Sequence, residues 1–174
     1  MTLRGWSIFY VFFFLYRVAC GLFAELVIEK FTSLGDSERY QGEVSKIQLS
    51  QSIFEVLIDS TKLTELMGLI FSRLFWSDYE NPHLINIAFQ AIAFYGLYRI
   101  LKSLEPNVRL YAAVLFMAPS FNIWSSIASK EAIVVFITGI IGSYLIEFYY
   151  NRSRLTLIVL FAGLLLVIYK AHYL

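Results

Sequence analysis

The sequence predicts an all-α integral membrane protein: five transmembrane helices and a long outer first loop carrying one or two amphipathic interfacial helices. Three observations carry that prediction. Hydrophobic residues make up 59% of the 174 positions and charged residues only 16%, against ~45–50% and ~25% in an ordinary soluble domain. Five stretches are apolar enough, over enough residues, to cross a hydrocarbon core of ~30 Å. Among the short loops, lysines and arginines gather on one side, as basic loops do on the cytoplasmic face. The same composition excludes other classes. A net charge of +1 leaves no basic surplus for nucleic acid, the lone Cys20 excludes a disulfide within the chain, and 2 histidines exclude most His-based metal centres. No repeat or low-complexity tract divides the chain, so residues 1–174 read as a single polytopic membrane domain.

The first predicted span is Trp6–Val27. Val18-Ala19-Cys20 superficially resembles a lipoprotein cleavage box, but Arg17 stands where such a box wants an aliphatic residue, and the apolar stretch is too long for a signal peptide. An uncleaved span is expected. A loop of about residues 28–82 follows. Within it, Leu63–Trp76 places apolar residues at 63, 66, 67, 70, 71, 74 and 75, a helical stripe too short to span. It is expected to lie in the interface with one face in lipid, and Val44–Ile58 is its weaker companion. The remaining spans are His83–Leu101, Val108–Ile127 (interrupted by Pro119), Glu131–Tyr150 and Leu155–Tyr169.

Orientation follows from the charges. A cytoplasmic start puts Arg4, then Arg99, Lys102 and Arg109, then Arg152 and Arg154 on the inside, with Lys130 and the tail's Lys170 opposite. Counting Leu63–Trp76 as a sixth span would turn both downstream basic clusters outward. The expected topology is a multi-pass cell-membrane protein, N-terminus cytoplasmic and C-terminus outside.

Charged residues inside this frame mark candidate sites. Arg17 lies near the middle of the first span, where a basic residue costs ~2.5–3.5 kcal/mol on insertion scales. Either it anchors a structural network, or it lines a polar cavity for an anionic headgroup or phosphate. Glu25, eight residues on and about a quarter-turn round, is not an ideal partner for it. Glu147 is expected to pair with Arg152 or Arg154.

The outer loop carries Gly35-Asp36-Ser37-Glu38-Arg39-Tyr40. This is a turn sequence, and its carboxylate could also act as general base toward a hydroxyl or hold a divalent cation at the membrane edge. Before the fourth span stands Pro119-Ser120-Phe121-Asn122-Ile123-Trp124-Ser125-Ser126-Ile127-Ala128-Ser129-Lys130-Glu131. Pro119 should break the third span, and the freed backbone groups need polar partners. Ser129 reads as an N-cap with Glu131 in the favourable first turn, while Lys130 could bind a phosphate. Five spans put this motif and Asp36 on one face of the membrane. Asp78, Glu80 and His83 crowd the entrance to the second span, where a helix cap is the simpler account of them.

Gly35-Asp36 with Tyr40 after the first span, and Pro119…Trp124-Ser125-Ser126…Lys130-Glu131 before the fourth, resemble bacterial polytopic glycosyltransferases of the GT-C type, including polysaccharide-assembly enzymes that use polyprenyl-linked sugars. The resemblance covers the general layout of the chain. It implies Asp36 as the acceptor-activating base or metal-proximal carboxylate. It also implies Lys130, Glu131 and Ser126 as cavity residues near the lipid phosphate, with Arg39, Arg17 and Tyr40 as further substrate contacts. The chain departs from the family pattern in having five expected spans rather than about seven, and Ser37 rather than a second acid after Asp36.

Two functions stay open on this reading. One is a glycosyltransferase-like protein acting at the outer face on a polyprenyl-phosphate-linked sugar, with a divalent cation near Asp36 as its one candidate cofactor. The other is a non-enzymatic subunit or modulator (assembly, exclusion or immunity type) packing against a larger membrane protein or a second copy of itself. A channel or transporter is the weaker alternative, since five spans give no even inverted repeat and intramembrane charges are few.

Overall fold

A computed structural model describes residues 3–31, 59–74, 82–151 and 157–170. These residues form seven α-helices and a single 3-10 turn, Ile28–Lys30, with no strand. The helices are α1 (Leu3–Leu26), α2 (Ser60–Leu74), α3 (Pro82–Ser103), α4 (Pro106–Phe116), α5 (Pro119–Ser125), α6 (Lys130–Asn151) and α7 (Leu157–Lys170). Three of them contain stretches long and apolar enough to cross a membrane: Gly5–Leu26, His83–Ser103 and Lys130–Tyr150. The other two expected spans differ. Val108–Ile127 is divided into α4, of 11 residues, and α5, of 7. The last apolar segment forms a helix of 14 residues, about 21 Å at 1.5 Å per residue.

Cross-helix contacts fix the directions. Gly96 faces Gly139 and Ile100 faces Gly142, so α3 and α6 run the same way, with α4 and α5 returning between them. In α1, Tyr10 meets Tyr98 and Phe13 meets Phe94, while Glu25 reaches His83, so α1 is antiparallel to α3. Trp6 lies beside Arg109, Tyr16 beside Met117 and Arg17 beside Asn122, so α1 is parallel to α4 and α5.

The α1 sequence explains its two faces. Trp6, Phe13, Arg17, Gly21 and Ala24 recur at helical spacing and are buried, whereas Ile8, Val11, Phe12, Leu15, Leu22 and Phe23 are exposed. An outward face that apolar, on a helix of 24 residues, suits lipid. The α3–α6 pair is the tightest contact in the bundle. A Cβ on Gly96 would lie 2.7 Å from the Phe136 Cα, and one on Gly139 would strike the Gly96 backbone. Small residues at such a crossing let two helix backbones approach closely, which supplies dispersion contact where no hydrophobic effect drives association.

Helix α2 docks on the bundle through its small residues. Asp59 starts it, its Oδ1 accepting from the Thr61 amide at 2.8 Å and the Lys62 amide at 3.4 Å. The buried positions are Ser60, Thr64, Glu65, Gly68 and Ser72. Leu63, Met67 and Phe71 also pack on the bundle, with Phe71 edge-on to Phe89 at 5.5 Å, while Ile70 and Leu74 are the exposed members of the stripe among the described residues. The helix therefore lies on α3 and α6. The physical reason is the line of small residues at 60, 64, 68 and 72, which permits close docking while local bonds satisfy two of its hydroxyls. Thr64 donates to the Ser60 carbonyl at 2.7 Å and shares a 3.3 Å hydroxyl contact with Tyr169, and Ser72 donates to the Leu69 carbonyl.

Candidate functional site

The break between α4 and α5 creates the site. Pro119 has no amide proton to continue the helix, and Ala118 before it adopts φ −53° and ψ 125°, as a residue preceding proline favours. The Ala118 amide takes the Leu115 carbonyl instead. Two side chains then satisfy the carbonyls at the break. Asn122 Nδ2 donates to the Phe116 carbonyl at 2.7 Å and the Ala118 carbonyl at 2.9 Å, and the Tyr16 hydroxyl donates to the Met117 carbonyl at 3.0 Å.

Arg17 closes the arrangement from α1. Its side chain is fully buried. Nη1 donates to Asn122 Oδ1 at 2.7 Å and Ser125 Oγ at 3.2 Å, and Nη2 donates to the Ser125 carbonyl at 2.7 Å. Nε has no hydrogen-bond partner among the described residues. All three acceptors are neutral. Glu25, the acid nearest in sequence, pairs with His83 at 2.8 Å instead. A buried cation is ordinarily paired with a carboxylate or coordinated by an anion, because desolvation in a low-dielectric interior is costly. Arg17 has polar partners without charge compensation from them.

Beyond Ser125 the chain runs non-helically from 126 to 129 before α6, with Ser125, Ser126, Ile127, Ala128 and Ser129 all buried. Irregular backbone at membrane depth needs internal hydrogen-bond partners, and α3 provides two. Gln90 Nε2 donates to the Ser126 carbonyl, and Asn86 Oδ1 accepts from the Ala128 amide at 2.8 Å. Ser129 caps α6 as the sequence predicts, its Oγ accepting from the Ala132 amide at 3.3 Å. Gly21 leaves room for this crossing, since a Cβ there would collide with the Gln90 amide and lie 2.5 Å from the Ser126 carbonyl oxygen.

Gln90→Leu keeps the volume but removes the donor to Ser126. It is expected to lower stability by about 1 kcal/mol, the scale of an interhelical hydrogen bond in membrane bundles, read as a lower melting temperature in a fixed detergent. An unchanged melting temperature would show that the bond does not hold the segment.

A cavity of about 380 Å³ opens beside the segment, lined by Ser120, Phe121, Trp124, Ser125, Glu131, Val134 and Val135. Ser125 belongs both to its wall and to the Arg17 network. The structure thus brings Arg17 close to one wall of the cavity that Glu131 lines, and places Lys130 and Ser126 apart from it. Lys130 turns away, its Nζ donating to Thr61 Oγ1 of α2 at 2.7 Å. Ser126 is buried and does not line the cavity. Of Lys130, Glu131 and Ser126, only Glu131 lines this cavity, since consecutive helical residues diverge by about 100°. Glu147 pairs with Arg99 at 3.5 Å and accepts from Ser103 at 3.0 Å, while Arg152 and Arg154 lie outside the described residues.

Asp36, Arg39 and Tyr40 also lie outside the described residues. Among those described, no group of three His, Cys, Asp or Glu side chains is gathered to hold a metal ion. Sequence reasoning missed Asn86 and Gln90. Their signal was present, as two amides four residues apart on an otherwise apolar span. Compared with protein-family models, curated proteins and solved structures, the chain matches none.

Proposed function

We propose that the chain is a membrane glycosyltransferase-like protein acting at the outer membrane face on a polyprenyl-phosphate-linked sugar. In this reading α1, α3, the broken pair α4–α5, α6 and α7 make five crossings, with the N-terminus cytoplasmic and the C-terminus outside. The alternating directions of α1, α3, α4–α5 and α6 support the first four crossings. The observation that carries the functional reading is Arg17, a buried guanidinium whose acceptors among the described residues are all neutral, one of them also forming the wall of an open cavity.

A phosphate entering at Ser125 would replace its hydroxyl, the longest of the three bonds, and supply the missing charge compensation. Asp36 takes the proton of an acceptor hydroxyl as that oxygen bonds to the anomeric carbon. The bond from that carbon to the phosphate oxygen breaks, and polyprenyl phosphate leaves with the electron pair, its charge stabilised by Arg17. Lys130, turned toward α2, has no part in this step.

The enclosure of Arg17 favours a second reading. There the guanidinium only pins the broken helix, and the protein is a non-enzymatic subunit packing against a larger membrane protein. Native mass spectrometry after gentle extraction separates the two. Retained polyprenyl phosphate is expected, and a stoichiometric protein partner without that lipid would overturn the transferase reading. Asp36→Asn is expected to abolish sugar transfer while leaving the melting temperature and retained lipid unchanged, and transfer that survives it would remove Asp36 from the mechanism.

A further inference from the structure

At the far end of the bundle, where the long apolar segments of α3 and α6 end at Ser103 and Tyr150, an open cavity of about 470 Å³ is lined by Arg99, Lys102, Ser103, Leu104, Glu105, Glu147 and Tyr150. Among the described residues, two cations and two carboxylates share this wall, so it suits neither a simple anion nor a simple cation. The charges divide into a spent pair and an available pair. Arg99 and Glu147 bond to each other, Glu147 also accepts from Ser103, and the Arg99 guanidinium lies 5.4 Å from the Tyr144 ring centre. Lys102 rests its ammonium 5.7 Å from the Tyr98 ring centre and is exposed. Glu105 stands at the N-cap position of α4, yet makes no side-chain capping bond and is exposed.

The floor between these two is rigid, because Arg109 spends its donors on it. Nη2 donates to the Lys102 and Leu104 carbonyls, and Nε to the Leu104 carbonyl, while the guanidinium lies 5.1 Å from the Trp6 ring centre. Trp6, Tyr98, Tyr144 and Tyr150 around basic side chains at the ends of apolar helices form the belt expected at headgroup depth.

We propose that this cavity binds the headgroup of a zwitterionic aminophospholipid, phosphatidylethanolamine in class. Lys102 meets the phosphate, and Glu105 accepts hydrogen bonds from the primary ammonium, with Tyr150 beside them. A quaternary ammonium has no N–H to donate to a carboxylate, and an anionic headgroup leaves Glu105 facing negative charge, so both bind less well.

The test uses the full-length protein in nanodiscs containing equal parts of phosphatidylethanolamine, phosphatidylcholine and phosphatidylglycerol, released and weighed by native mass spectrometry. Phosphatidylethanolamine is expected to be retained over each of the others by about tenfold, the scale of one charge-assisted hydrogen bond. The exposed-site variant Lys102→Ala/Glu105→Gln is expected to lose that preference without a change in melting temperature. Water-soluble phosphoethanolamine, added in excess, is expected not to displace the lipid, since the acyl chains hold it in the bilayer; displacement would identify a soluble phosphate ester as the occupant and overturn the lipid assignment. Equal retention of the three lipids, or preference for phosphatidylglycerol, would likewise overturn the proposal. None of these outcomes bears on the Arg17 site.

Discussion

Replacing Gly139 by alanine is expected to destabilise the protein by about 2 kcal/mol, although alanine is the better helix former by ~1 kcal/mol. The added methyl would strike the Gly96 Cα, carbonyl carbon and oxygen. Backbone atoms cannot rotate aside as a flexible side chain does, so α3 and α6 must separate along their length and lose their dispersion contacts. The same substitution at Gly163 of α7 meets nothing within 4 Å. There the helix-propensity gain stands alone, and Gly163→Ala is expected to stabilise by about 0.5–1 kcal/mol. Chemical unfolding of both variants in one detergent gives the comparison. Two stabilising substitutions would mean that α3 and α6 are not in backbone contact.

Arg17→Met is expected to cost about 3 kcal/mol, because Asn122 Oδ1 and the Ser125 carbonyl would be left buried without their donor. Arg17→Lys is not expected to rescue it. The ammonium keeps the charge, and with it the desolvation cost, but lacks the planar fork that reaches a side-chain amide and a main-chain carbonyl together. Arg17→Met combined with Asn122→Leu is expected to cost less than the sum of the single changes, since removing both partners leaves fewer orphaned groups. Additive losses in that double-mutant cycle would show that the two side chains do not interact. Retained polyprenyl phosphate, measured beside stability, distinguishes an anion site from a structural pin: Arg17→Lys should restore part of the lipid binding only if the charge itself is recognised.

The sequence made the break at Pro119 legible, because a missing amide proton is a property of the residue and acts wherever it sits in a helix. It also made Ser129 legible as a cap, and Arg17 as the residue in need of partners. It did not show which partners. Asn122 and Ser125 are over a hundred residues away, with bonds at sequence separations of 105 and 108, and several other polar side chains in the same motif were equally eligible. The pairing of Glu25 with His83 went unseen for the same reason. Lys130 and Glu131 were joined because they are neighbours in sequence, which on a helix sends their side chains in different directions.

By itself the sequence determined the solvent of this protein. Apolar content and segment length depend only on local composition; they led to five expected spans, of which three are helices long and apolar enough to cross a membrane. Tertiary structure decided the rest. It turned the small-residue stripe of α2 inward. It also chose among the polar side chains those that satisfy the broken backbone. Those outcomes depend on which helix faces which, and at Gly96 and Gly139 on the absence of side chains. No periodicity in one segment records what the opposite segment leaves out.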